Sequence, residues 1–193
     1  MDLKVSIIQS DIYWEDVEKN LDAFTKKIKE TREETDIIVL PEMFNTGFSM
    51  QSKKLAEKMG GKTVSWMKER ARDSNAVIVG SLIIEDVVKN QFYNRLVWMQ
   101  PDGTFYTYDK KHLFRMANEH ESFTEGDKRL IIHYKGWRIC PLICYDLRFP
   151  VWSRNKKLRI DNSTINQESS NTNAYDCLIY IACWPEARKQ PWS

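Results

Sequence analysis

The chain has 193 residues, of which 42% are hydrophobic and 29% charged, with a formal net charge of +2. That length and apolar content suit a single domain with its own core, and the near-balance of charge argues against a nucleic-acid binder driven by a basic field. The apolar runs are short, so no membrane-spanning helix is expected.

The N-terminal MDLKVSIIQSD lacks a basic region followed by a long apolar core, so no secretory leader is expected. LKVSIIQS (3–10) reads as a first strand. WEDVEKNLDAFTKKIKETR then places Trp14, Val17, Leu21, Phe24 and Ile28 on one face of an amphipathic helix. The short apolar DIIVL (36–40) has the character of a strand covered on both faces. GGKTVSWMKERARDSN reads as a second helix with Thr63 as its cap. AVIVGSLIIE (76–85) is a third strand, with an interruption expected at Gly80. YNRLVWMQ and TFYTYDKKHLF flank Pro-Asp-Gly and read as a hairpin, as do RLIIHY and WRICPLICYD around Lys-Gly. CLIYIACW (177–184) is a last strand, and the polar KKLRIDNSTINQESSNTNA (156–174) reads as a loop or insertion. Strands alternating with helices, then hairpins, indicate an α/β protein with a mixed sheet or two sheets.

The four cysteines, 140, 144, 177 and 183, all lie in the last third. Their C-x3-C and C-x5-C spacings match no common zinc pattern, and an apolar fraction this large needs no disulfide framework. A reduced, cytoplasmic protein without a metal is expected.

Three reactive residues share one kind of place. Glu42 follows DIIVL, Lys110 ends TFYTYD, and Cys144 ends WRICPLI. In α/β sheets chemistry collects at the carboxyl ends of strands. A carboxylate can take a thiol's proton and pass it to a leaving amine, an ammonium can stabilise a tetrahedral oxyanion, and the thiol can form an acyl-enzyme. Each residue also has a bland reading. Cys144 could be a small buried apolar group, Glu42 a helix cap or solvated acid, and Lys110, beside Lys111, a surface charge.

The motifs around these residues resemble those of the nitrilase superfamily, the carbon–nitrogen hydrolases. IVLPEMFNTGF resembles the family's glutamate motif, YDKKHLF its lysine motif, and LICYDLRFPVWSRN its cysteine motif, in the family's order. The wording of LPEMFNTGFSM, KHLFRMANEHESFTEGD and CYDLRFPVWSRN is most similar to the ω-amidase-like branch. The resemblance implies an α-β-β-α sandwich and hydrolysis of the terminal amide of a small 2-oxo acid amide, with no cofactor. It implies Glu42 as general base, Lys110 as catalytic lysine and Cys144 as nucleophile, with Cys140 structural. Glu119, seven residues before Gly126, would orient Lys110 and the substrate amine. Tyr145 would lend its backbone N–H to an oxyanion hole, and Arg115 or Arg148 would hold a substrate carboxylate. His112 as the base of a cysteine–histidine pair is the rival to Glu42, whereas His133 reads as a hairpin surface residue. A nitrilase, a carbamoyl-amine hydrolase, or an inactive remnant acting as a binding module are the alternative functions.

The chain departs from the family pattern in two places. ACWPEAR puts Cys183 where the family has asparagine, and the sequence ends at KQPWS where family members continue. The sandwich is therefore expected to lack its last elements, to expose a strand edge near CLIYIACW, and to form homo-oligomers.

Overall fold

Alternation along the central strands fixes the layers. The computed structural model describes residues 2–31, 34–156, 173–185 and 190. Strands β1 (Val5–Ile7), β2 (Ile37–Val39), β3 (Val77–Asp86), β4 (Gln91–Met99) and β5 (Phe105–Asp109) form one sheet in that order. The β1–β2 and β2–β3 pairs are parallel, and the β3–β4 and β4–β5 pairs antiparallel. Ile38, Leu40, Ile78, Leu82, Val97 and Met99 pack under helices α1 (Val17–Glu30) and α3 (Lys62–Ser74). The residues between them, Ile37, Val39, Val77, Val79, Leu96 and Trp98, face a second sheet. Both faces of β2 and of the central parts of β3 and β4 are therefore buried.

The second sheet has the order β6 (Ile132–Tyr134), β7 (Trp137–Ile143), β8 (Cys177–Ile181). The β6–β7 pair is an antiparallel hairpin and the β7–β8 pair is parallel. Ile132, Ile139, Leu142, Ile143, Ile179 and Ile181 close the core between the sheets. The architecture is thus helices, sheet, sheet, which is the α/β sandwich expected from the motifs. Among the described residues, α1 and α3 are the helices longer than one turn, and both lie on the first sheet.

Five local readings are corrected. The first strand is only Val5–Ile7. Helix α1 begins at Val17, because the Asp16 carboxylate caps it by accepting from Lys19 N–H at 3.1 Å, so Trp14 lies outside the helix and is 65% exposed. Helix α3 is entered at Gly61 rather than capped by Thr63. The cap comes instead from the Glu57 side chain, which accepts from Thr63 N–H at 2.7 Å. Gly80 does not interrupt β3. It makes room there, since a Cβ would stand 2.8 Å from Phe44 Cδ1 and 3.1 Å from Leu40 Cβ. The last strand stops at Ile181, and residues 157–172 of the expected polar loop lie outside the described residues.

Short helices α2 (Ser52–Leu55), α4 (Glu119–Ser122) and α5 (Pro150–Ser153) occupy the connections. Two 3-10 turns, Arg115–Ala117 and Cys144–Arg148, follow β5 and β7.

Candidate active site

Glu42, Lys110, Glu119 and Cys144 come from three different connections between strands, β2–β3, β5–β6 and β7–β8, and meet in one buried place, with relative exposures of 0%, 1%, 0% and 8%. Lys110 directly follows β5 and lies on the inward face it shares with Tyr108. Its backbone N–H donates to Asn94 O at 3.0 Å, which continues the β4–β5 ladder by one residue. Its ammonium donates to Glu42 Oε1 at 2.8 Å and to Glu119 Oε1 and Oε2 at 3.0 and 2.9 Å.

Glu42 opens the turn after β2. That turn is anchored where Met43 N–H, at a φ of 46°, donates to Ser81 Oγ at 3.0 Å. Glu119 is delivered by a chain segment that folds back on β5. Thr124 N–H donates to Phe92 O at 2.7 Å and Gly126 N–H to Lys110 O at 2.9 Å. Gly126 is pressed so closely on the strand end that a Cβ would come within 2.1 Å of Asp109 O. Phe114 N–H then donates to Glu119 Oε2 at 2.5 Å.

Cys144 begins the 3-10 turn after β7 at a φ of 42°, in the left-handed region that side chains avoid. Asp146, fully buried, holds this elbow. It accepts from Ile143 N–H at 3.1 Å, Tyr108 Oη at 2.7 Å and His112 N–H at 2.9 Å, and its Oδ1 is 2.8 Å from His112 Nδ1. The elbow that carries Cys144 is thereby tied to residues on both sides of Lys110.

The electrostatics follow from burial. The Cys144 thiol lies beside Glu42, and its pKa is pushed up by burial first and by the Glu42 charge second. It rests as a neutral thiol. Burial alone would lower the Lys110 pKa, but the charges of Glu42 and Glu119 outweigh it and keep the ammonium protonated. Burial pushes the Glu119 carboxyl up while Lys110 pulls it down. Such a set can shuttle a proton between sulfur and carboxylate beside a fixed positive charge, which is the requirement for acyl transfer without histidine.

The remaining candidates are placed as follows. Lys111 turns outward, 3.4 Å from Glu125. The Tyr145 ring packs edge-on against Phe114 and Phe149, with centroids 5.0 and 5.4 Å away, and its N–H belongs to the first turn after Cys144. Arg115 and Arg148 are both exposed, on the two 3-10 turns that follow Lys110 and Cys144. His112 is engaged by Asp146 and stacks on Phe149 at 3.7 Å, so its ring is committed to the scaffold. His133 is exposed on β6. Cys140 is buried between the sheets, its pKa raised to about 11 by burial. The described residues hold no cluster of three metal-ligating side chains.

Three participants escaped the sequence reading. Asn94 donates from Nδ2 to Glu42 Oε1 at 2.8 Å and to Glu119 Oε1 at 3.2 Å. The available signal was a polar residue at an inward position of β4, in phase with Leu96 and Trp98. Asp146 was visible only as an acid two residues after the cysteine. Cys183 contributes through its backbone, whose N–H donates to Glu42 Oε2 at 3.1 Å, so this bond is independent of the side chain at that position. Its thiol pKa is raised to about 11, by burial and then by Glu42.

Comparison with known proteins identifies the family. A carbon-nitrogen hydrolase family model matches residues 4–171. The chain is 40% identical over 192 residues to the omega-amidase YafV of Escherichia coli (strain K12), covering 98% of this chain and 66% of that protein. It is 27% identical over 191 residues to the 2-oxoglutaramate amidase of Bacillus subtilis (strain 168), covering 97% of this chain and 68% of the relative. XC1258 of Xanthomonas campestris, a CN-hydrolase superfamily protein whose structure carries an arsenic adduct in the active site, superposes with a TM-score of 0.88 at 38% identity, over 100% of this chain and 69% of that one. Nit3 of Saccharomyces cerevisiae, with a TM-score of 0.76 at 23% identity over 98% of this chain and 68% of its own, shares the fold. This chain therefore spans 66% of the length of the E. coli relative. With the glutamate, lysine and cysteine motifs converging in one buried pocket of this fold, the chain belongs to the carbon–nitrogen hydrolase family.

Proposed function

We propose that the chain hydrolyses the amide carbon–nitrogen bond of a small carboxylate-bearing substrate, a 2-oxo acid ω-amide, through a Cys144 acyl-enzyme. The observation that carries this reading is that Glu42, Lys110, Glu119 and Cys144 meet in one buried place, where Glu42 Oε1 accepts from Lys110 at 2.8 Å. The names of the relatives, an omega-amidase and a 2-oxoglutaramate amidase, support the substrate class.

The reaction runs in two halves. Glu42 takes the thiol proton as sulfur bonds to the amide carbon. The carbonyl electron pair moves to oxygen, where the Lys110 ammonium and the Tyr145 N–H stabilise it. Protonated Glu42 then gives its proton to the amine nitrogen, the C–N bond breaks, and ammonia leaves a thioester on Cys144. Water attacks the thioester with Glu42 again as base, and the carboxylic acid and free thiol are restored. Glu119 holds Lys110 in place and faces the amine, and no cofactor is used. Arg115 or Arg148 pairs with the substrate carboxylate, since guanidinium geometry suits a bidentate contact. The free thiol chemistry suits a reducing, cytoplasmic compartment.

Ammonia release from a panel of small amides tests the reading. Turnover of 2-oxo acid ω-amides that disappears in Cys144→Ala is the expected result. A panel on which the wild-type chain releases no ammonia, while binding the amides unchanged, would favour a binding module.

A further inference from the structure

Asn94 lies at the middle of β4 with 0% exposure, on a face otherwise apolar. Burying an amide there costs free energy unless both its ends are bonded. Only one end is. Nδ2 donates to Glu42 Oε1 and Glu119 Oε1, while Oδ1 has no protein partner. The amide orientation is fixed by this network, since the reverse orientation would aim the oxygen at two carboxylates. Packing does not account for the residue, because an aliphatic side chain would match Leu96 and Trp98 without an orphaned acceptor.

The bonds form a closed ring. Lys110 Nζ and Asn94 Nδ2 each donate to Glu42 Oε1 and Glu119 Oε1, so donors and acceptors alternate. Two carboxylates this close repel, and one ammonium offsets a single charge. A second cation would neutralise the set completely, whereas a neutral donor bonds both anions and leaves the net charge as it is.

We propose that Asn94 is a positioning residue that keeps Glu42 ionised and aimed at the Cys144 thiol. This inference rests on the assignment of Glu42 as the base. The groups facing Glu42 are Lys110 after β5, Glu119 on α4, the Cys144 thiol after β7, the Cys183 N–H and thiol after β8, and Asn94 itself. Removing the Asn94 donor disfavours the charged carboxylate, so its protonation moves to higher pH. Activity that needs ionised Glu42 is then lost sooner as pH falls.

The test is the pH profile of kcat/KM for amide hydrolysis in Asn94→Leu and Asn94→Ser. The acid limb is expected to move up by about one pH unit in Asn94→Leu, a tenfold change in the ionisation equilibrium for one lost charge-assisted bond. A smaller shift is expected in Asn94→Ser, which keeps a hydroxyl donor, with activity recovering at higher pH in both. A uniform loss at every pH, or an unmoved limb, overturns the proposal. Infrared titration of the Glu42 carboxyl band, assigned by its loss in Glu42→Gln, reads the same shift without turnover. If the wild-type chain hydrolyses no amide, the amidase reading fails while this titration still tests Asn94. An unchanged midpoint in both variants refutes it.

Discussion

A thiol kept neutral by burial and by a neighbouring carboxylate has little standing nucleophilicity, so on the proposed mechanism Cys144 loses its proton during the attack itself. Glu42→Gln keeps the shape but removes the base, and a loss of roughly 10²–10⁴-fold in kcat is expected. The same substitution removes a charge that raises the thiol pKa. The thiolate fraction at a given pH therefore rises, and iodoacetamide should modify Cys144 faster in Glu42→Gln than in the wild-type chain at pH 8. Slower modification in the variant, measured by intact mass, would mean that Glu42 already holds the proton at rest. Cys140→Ala should leave kcat within a few-fold and cost about 1–2 kcal/mol of stability, as expected for trimming a packed core side chain, with thermal melting as the check. That contrast was readable in the sequence only through the motif around Cys144, because two cysteines four residues apart in one apolar strand carry the same local signal.

Whole elements decide whether the side chains can meet. Gly126→Ala would drive a Cβ into the backbone of Asp109, which cannot yield without moving the strand end that carries Lys110. Loss of most activity is expected, with a lowered melting temperature; an active, equally stable variant would show that the 119–126 segment does not set the Lys110 position. The second sheet has its own pin. Arg138 donates from Nη2 to Asp176 Oδ1 at 2.5 Å and from Nε to Oδ2 at 2.9 Å, and holds the Asp176 pKa at about 2. A carboxylate depressed in the folded state stabilises it above the unfolded value of about 4, and this is lost as pH falls toward 2. The melting difference between wild type and Asp176→Asn should thus be largest near neutral pH and close between pH 4 and 2. A difference independent of pH would assign the effect to packing. The strands and long helices were legible because their periodicity is strong. The helix starts were not, because their caps are a glutamate six residues before Thr63 at α3 and an aspartate two residues past Trp14 at α1. The site was legible where family motifs mark it and illegible at Asn94 and Asp146, whose partners lie 25 to 52 and 34 to 38 residues away in sequence.

At the scale of the molecule, two sheets face each other and each supplies part of the site. Lys110, Asn94 and Glu42 come from the first sheet and the turn after its β2, Cys144 and the Cys183 N–H from ends of the second, and Glu119 from the connection that passes from one sheet to the other. Slippage of one sheet against the other would separate base from nucleophile, so catalysis is bound to the integrity of the inter-sheet core. On the proposed mechanism Glu42 and Lys110 serve a covalent step at Cys144. Intact-mass analysis of rapidly quenched mixtures with a 2-oxo acid ω-amide reads that step. The expected result is a mass gain equal to the acyl group, mapped to the peptide holding Cys144, formed together with one equivalent of ammonia and absent from Cys144→Ala. Sustained ammonia release by the Cys144→Ala chain, or an acyl group found on another residue, would contradict it.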